Sequence, residues 1–138
     1  METITIYTTG VSQGNPGPSA IGIYLCDAND QTVCEVAEPI GNATDTFAVY
    51  QAVMRGLQVA KEQFGEKTVE LHFELKLDSE IVMKQLTSAL EINEPGLVPY
   101  FIVIHNLRIS SFPNLTVAHI SQALNKKAIE LVNEALDA

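Results

Sequence analysis

Between residues 44 and 77 the spacing of apolar side chains changes once, from three and four residues to two. That switch restricts the chain to folds in which helices and strands alternate. Phe47, Tyr50, Val53, Met54, Leu57, Ala60 and Phe64 recur at the period of one buried helix face. Thr44 suits the N-cap of this helix and Gly65 its stop. Val69, Leu71, Phe73, Leu75 and Leu77 then alternate with Glu70, His72, Glu74 and Lys76, the period of a strand. Ahead of this pair lie three shorter strand-like runs, around Ile4 and Ile6, from Ala20 to Leu25 and from Thr32 to Val36. The turn formers from Asp27 to Gln31 separate the last two, and Pro39 and Gly41 close the block. Behind the pair, the pattern predicts a short helix over Ser79–Leu90 and, after a turn at Glu94-Pro95-Gly96, a helix over Leu97–Ile109. Past Pro113-Asn114 it predicts a strand over Leu115–Ile120 and a helix over Leu124–Leu136, with Ala128, Leu131, Val132 and Ala135 on the buried stripe. The order βββαβα(α)βα predicts an α/β fold. Its mixed sheet has five strands, three antiparallel and then two parallel, covered by helices.

At 138 residues the chain has the length of one domain, and residues 1–138 are read as a single unit. Apolar residues make up 46% and charged residues 18%, enough for a full core and unlike a disordered chain. The formal charge of −9 argues against a non-specific polyanion binder, which needs clustered Lys and Arg. Arg55, Lys61, Lys67, Lys84 and Arg108 are scattered, and only Lys126 and Lys127 adjoin, as on solvated helix faces. The start Met1-Glu2-Thr3-Ile4 predicts no signal peptide. No apolar run approaches the roughly 20 residues of a membrane span, so a cytoplasmic location is expected. Cys26 and Cys34 form neither a disulfide framework nor a zinc site. They are expected across a hairpin from each other as reduced thiols, with oxidation chemically open. His72, His105 and His119 lack metal-ligand spacing and read as structural. Neither Ser79 nor Cys34 has a base partner that the sequence reveals.

The run Ile6-Tyr7-Thr8-Thr9-Gly10 followed by Gly14-Asn15-Pro16-Gly17-Pro18 resembles the opening of the type 1 ribonuclease H family. That opening is a strand, an Asp-Gly step and a Gly-Asn-Pro-Gly-Pro turn. Three later segments fall in the family's order. Ala43 to Tyr50 resembles the start of its first helix. Leu77-Asp78-Ser79 resembles its Thr-Asp-Ser strand end. His119-Ile120 and Asn125 to Leu136 resemble its last strand and helix. The resemblance implies a ribonuclease H-like fold over nearly the whole chain.

The resemblance also implies a chemistry. Members of this family cut the RNA strand of RNA–DNA hybrids with two divalent ions, Mg²⁺ or Mn²⁺, about 4 Å apart. Such ions want hard oxygen ligands, so the family places an Asp or Glu at four positions. Here Thr9 stands at the first-strand position, Val49 at the first-helix position and Ile129 at the last-helix position; only Asp78 matches. One carboxylate cannot neutralise two dications. The expectation is a vestigial site with no resident metal and no catalytic residue, the replacements serving packing. Asp45 and Glu130 are poor substitutes: the first sits at a helix start where the dipole explains it, and the second is rotated by about 100°.

Asp78 then has two readings: an N-cap for the helix after Ser79, or an ion-pair partner of Lys76 on the same strand face. Gly14 and Asn15 are candidate substrate-binding residues, because the resemblance implies minor-groove contacts near this turn. Asn15 also reads simply as a turn former, and Asp45 and Thr46 replace two family asparagines nearby. The expected function is a catalytically silent domain acting through binding or assembly. Its partner is a protein, a second copy or, weakly, an RNA–DNA hybrid, and never a membrane. The apolar run Leu97–Ile104 is a candidate interface. The alternative is an active metal-dependent endoribonuclease with an atypical site.

Overall fold

The computed structural model describes residues 2–137. The strands are β1 (Thr3–Ser12), β2 (Gly17–Cys26), β3 (Thr32–Ala43), β4 (His72–Leu77) and β5 (Leu115–His119). The helices are α1 (Asp45–Phe64), α2 (Glu80–Leu86), α3 (Val98–Ser111) and α4 (Lys126–Asp137). One five-stranded sheet has the order β3-β2-β1-β4-β5. The three hairpin-linked strands pair antiparallel, and β1–β4 and β4–β5 pair parallel, as the alternation of periods requires.

Both faces of the sheet are covered. Ile4, Ile6, Ile23, Leu25, Phe73, Leu75 and Leu77 form one core with Val49, Tyr50, Val53 and Leu57 of α1. α3 joins this core through Ile104, flanked by Leu97 and Phe112. On the other face, α4 lies over β2 with Val132 and Ala135 against Ala20. Gly22 makes that approach feasible: a Cβ there would stand 2.1 Å from the Ala128 carbonyl oxygen. Thr44 caps α1 through a 3.3 Å bond from the Phe47 N–H, and Gly65, at φ 57°, ends it.

Several boundaries differ from the sequence reading, each for a local reason. Pro39 and Gly41 do not end β3, which continues to Ala43. β3 is an edge strand, where a proline costs no interior ladder bond, and a register shift at Ser19/Ala20 absorbs the irregularity. β4 begins at His72 rather than Val69, because residues 65–69 wind into a 3₁₀ turn in which the Thr68 hydroxyl donates to Gly65 O. α2 stops at Leu86 instead of Leu90: the Thr87 hydroxyl turns back onto Met83 O at 2.9 Å, and Ser88 takes φ 64°. α4 starts at Lys126, two residues late, after a 3₁₀ turn over Gln122–Leu124. α3 runs past Ile109 to Ser111, and β5 stops one residue short of Ile120.

The cysteines are not cross-hairpin partners. Leu25 pairs with Cys34, and Cys26 pairs with Thr32 across a register shift. Cys34 packs with the α1-side core, whereas Cys26 borders Tyr7 and Tyr24 on the opposite face. Both thiols are free. None of the described helices is long and apolar enough to cross a membrane.

Candidate functional site

Parallel pairing of β1 with β4 sets Thr8 opposite Leu77, so the next residues, Thr9 and Asp78, meet at the sheet's end. The Thr9 hydroxyl donates to both oxygens of the Asp78 carboxylate, each at 3.1 Å. A third residue closes the cluster from α4. Asn125 Nδ2 donates to Asp78 Oδ2 at 3.0 Å and to the Thr8 carbonyl at 2.9 Å. Thr9 and Asn125 are buried, and Asp78 is half-buried. Asn125 Oδ1 is buried with no hydrogen-bond partner, the only such side-chain atom among the described residues. Hydrogen bonds to a charged acceptor contribute about 1.5–3 kcal/mol each. Asp78 is therefore a clasp that ties β1, β4 and the start of α4 together.

The other two positions border this clasp. Gly10, next to Thr9, lies so close to α1 that a Cβ would stand 2.2 Å from the Ala48 carbonyl carbon and 2.6 Å from Val49 N. Val49 is buried in the core there. Ile129 follows one turn after Asn125, whose carbonyl accepts the Ile129 N–H at 3.1 Å, and it is half-buried. Glu130 is exposed. Thr9 and Asp78 thus touch, while Val49 and Ile129 supply apolar surface from the flanking helices.

Both sequence readings of Asp78 are corrected. It does not cap α2: the Ser79 hydroxyl does, accepting the Val82 N–H at 3.3 Å. Nor does it pair with Lys76, whose ammonium lies 3.8 Å from Glu74 and 5.5 Å from the Tyr7 ring centre. Thr9 and Asn125 already occupy its oxygens. Asn125 is the residue that sequence reasoning missed. The sequence pattern took it into the helix over Leu124–Leu136, and its one local signal, an Asn at a helix start, ordinarily means a cap.

Asp45 is the first residue of α1, and its carboxylate accepts the Ser12 N–H at 2.7 Å rather than merely facing the dipole. Asn15 returns the contact, its Oδ1 accepting the Asp45 N–H at 2.9 Å. This pair pins the β1–β2 turn to α1. Gly14, at φ 115°, and Asn15, at φ 35°, are both exposed at the turn's tip. His72 bridges Thr3 and Thr116 at 3.3 and 3.4 Å. His105 stacks on Phe101, and His119 is exposed at the end of β5. No group of three or more His, Cys, Asp or Glu side chains among the described residues is placed to hold a metal ion.

A mixed sheet with a carboxylate at the end of its central parallel pair, helices on both faces and a C-terminal helix closing over that acid define a ribonuclease H-like protein. Comparison with known proteins agrees. The family described as "Reverse transcriptase-like" matches residues 7–135. LC11-RNase H1, isolated from compost by a metagenomic approach, shares 38% identity and superposes with a TM-score of 0.93, over 99% of this chain and 97% of that one. The same protein is also known in complex with an RNA/DNA hybrid. Ribonuclease HI of Halobacterium salinarum is 37% identical over 95% of this chain, which spans 63% of that protein. A bifunctional protein of Mycobacterium tuberculosis is 29% identical, and the chain spans 36% of it. The chain belongs to the type 1 ribonuclease H family.

Proposed function

We propose that this domain keeps the scaffold of its family without the two-metal chemistry, and acts by binding or assembly. One observation carries the reading: Asp78 is the only carboxylate in the cluster, and neutral donors from Thr9 and Asn125 already engage its oxygens. A pair of dications needs several anionic oxygen ligands to offset four positive charges. One carboxylate, one hydroxyl and one amide do not fit that demand. Val49 and Ile129 offer no donor atoms where further acids would complete the set.

The binding arm of the proposal takes its ligand from the relative that is known with an RNA/DNA hybrid. Gly14 and Asn15, exposed at the β1–β2 turn, would follow the minor groove of the hybrid. The formal charge of −9 makes such binding weak, and whatever Lys and Arg contacts to phosphate it uses make it fall further as salt rises. The assembly arm rests on α3. Its inner residue Ile104 is buried, while Val98, Ile102 and Val103 are exposed. A second copy or a protein partner would cover them.

The competing reading, an active endoribonuclease on hybrids, is favoured by the identity to ribonuclease HI. A cleavage and binding assay with a labelled RNA–DNA hybrid, in Mg²⁺ and in Mn²⁺, separates the two. The proposal expects no cleavage and salt-sensitive binding. Cleavage that Asp78→Asn abolishes would establish the competing reading. Light scattering tests assembly: a clean monomer at high concentration removes the α3 interface.

A further inference from the structure

A cavity of about 620 Å³ lies away from the Asp78 cluster. It opens between the end of α2, the outer turns of α3 and the start of β5, where Leu115 pairs with Phe73. Asp78 follows the other end of β4, about 16 Å of strand away. The cavity contains Arg108, which makes no ion pair among the described residues. One of its N–H groups donates to Leu86 O at 2.9 Å, at the end of α2. That contact anchors the guanidinium and leaves most of its five donors without a protein acceptor. Burial pushes the Arg108 pKa down, as it does for a charge whose environment offers no counter-ion. In a chain with seventeen acidic side chains, a half-buried arginine with no carboxylate beside it is out of keeping with the rest of the surface. The wall beside it is flat and aromatic: Phe101 and His105 stack at 5.9 Å with their planes 13° apart. Phe112 and Leu86 make the floor apolar, and Ser88 is exposed at the rim.

We propose that this cavity is a binding site for a small organic anion, a flat ring carrying a phosphate or a carboxylate. Arg108 takes the oxyanion, and the Phe101–His105 face takes the ring. A guanidinium held at one N–H presents its other donors to two anionic oxygens together.

Titration calorimetry of the full chain with adenosine monophosphate, benzoate and uncharged adenosine tests this. The expected result is saturable binding of at least one anion, with adenosine weaker by about tenfold or more. Binding of the nucleotide alone marks a phosphate site, and binding of benzoate alone a carboxylate site. Arg108→Gln should weaken the anion about tenfold or more, and Arg55→Gln, outside the cavity, should not change it. If Arg108→Gln fails to fold, Ile109→Glu decides. Ile109 is 67% exposed at the cavity, so an acid there is tolerated and repels the anion. The proposal is overturned if neither anion binds, if adenosine binds as well as the anions, or if the folded cavity variants bind unchanged.

Discussion

Replacing Thr9 by valine keeps the shape of a buried side chain and removes one donor. The hydroxyl has one hydrogen shared between two oxygens at 3.1 Å, so a single charge-assisted bond is lost rather than two. Such a bond contributes about 1.5–3 kcal/mol, and water reaching the half-buried Asp78 recovers part of it. The expected loss is about 1–2 kcal/mol, with no change in the surface exposed on unfolding. Urea unfolding measures it: the midpoint should fall at constant slope. Repeating Thr9→Val in an Asp78→Ala background should cost at least about 0.5 kcal/mol less, because the two residues are coupled by contact. A Thr9→Val loss below about 0.5 kcal/mol, or full additivity with Asp78→Ala, would refute the clasp.

The Tyr50 hydroxyl, buried and donating to Gln85 Oε1 at 2.6 Å, has its pKa pushed up to about 12 by burial and then by the charge of Glu94. Its folded pKa lies above the ordinary value of about 10, so its stabilisation is complete below that pH and is lost as pH climbs towards 12. Unfolding free energies from pH 9 to 12 should show this fall, and Tyr50→Phe should flatten it while costing about 1–3 kcal/mol at neutral pH for the stranded acceptor. Gly10→Ala should destabilise by about 3 kcal/mol or more, because its Cβ would overlap α1 backbone that cannot yield; thermal melts report this. Oxidant should produce no intramolecular Cys26–Cys34 bridge under native conditions, and mass spectrometry of the digested protein checks it.

The element order and the mixed sheet were legible because each rests on periodicity sustained over many residues. Phe47 to Phe64 and Val69 to Leu77 differ so clearly in period that α1 and β4 could not be confused. The boundaries that moved were set by single hydrogen bonds. Thr68 and Thr87 wind or stop the chain with their hydroxyls, and neither differs in sequence from a threonine that does not. Pro39 was misread because a proline's meaning depends on whether its strand is an edge, which only the assembled sheet decides. At the site, the resemblance to the type 1 ribonuclease H family put Thr9 and Asp78 together. The third member could not: Asn125 lies 47 residues beyond Asp78, and its side chain crosses to the sheet instead of capping its own helix. The ion pair expected for Asp78 failed for the same reason, since Glu74 competes for Lys76 and neutral donors already serve the acid.

A titration of the protein with Mn²⁺ and Mg²⁺ reads directly how many dications the Asp78 cluster holds. Calorimetry, followed by paramagnetic broadening of amides near residue 78, should detect no saturable two-ion site in the native chain. The triple variant Thr9→Asp, Val49→Glu, Ile129→Asp, if folded, should gain one. Two ions bound to the unaltered protein, with both lost in Asp78→Asn, would contradict the account.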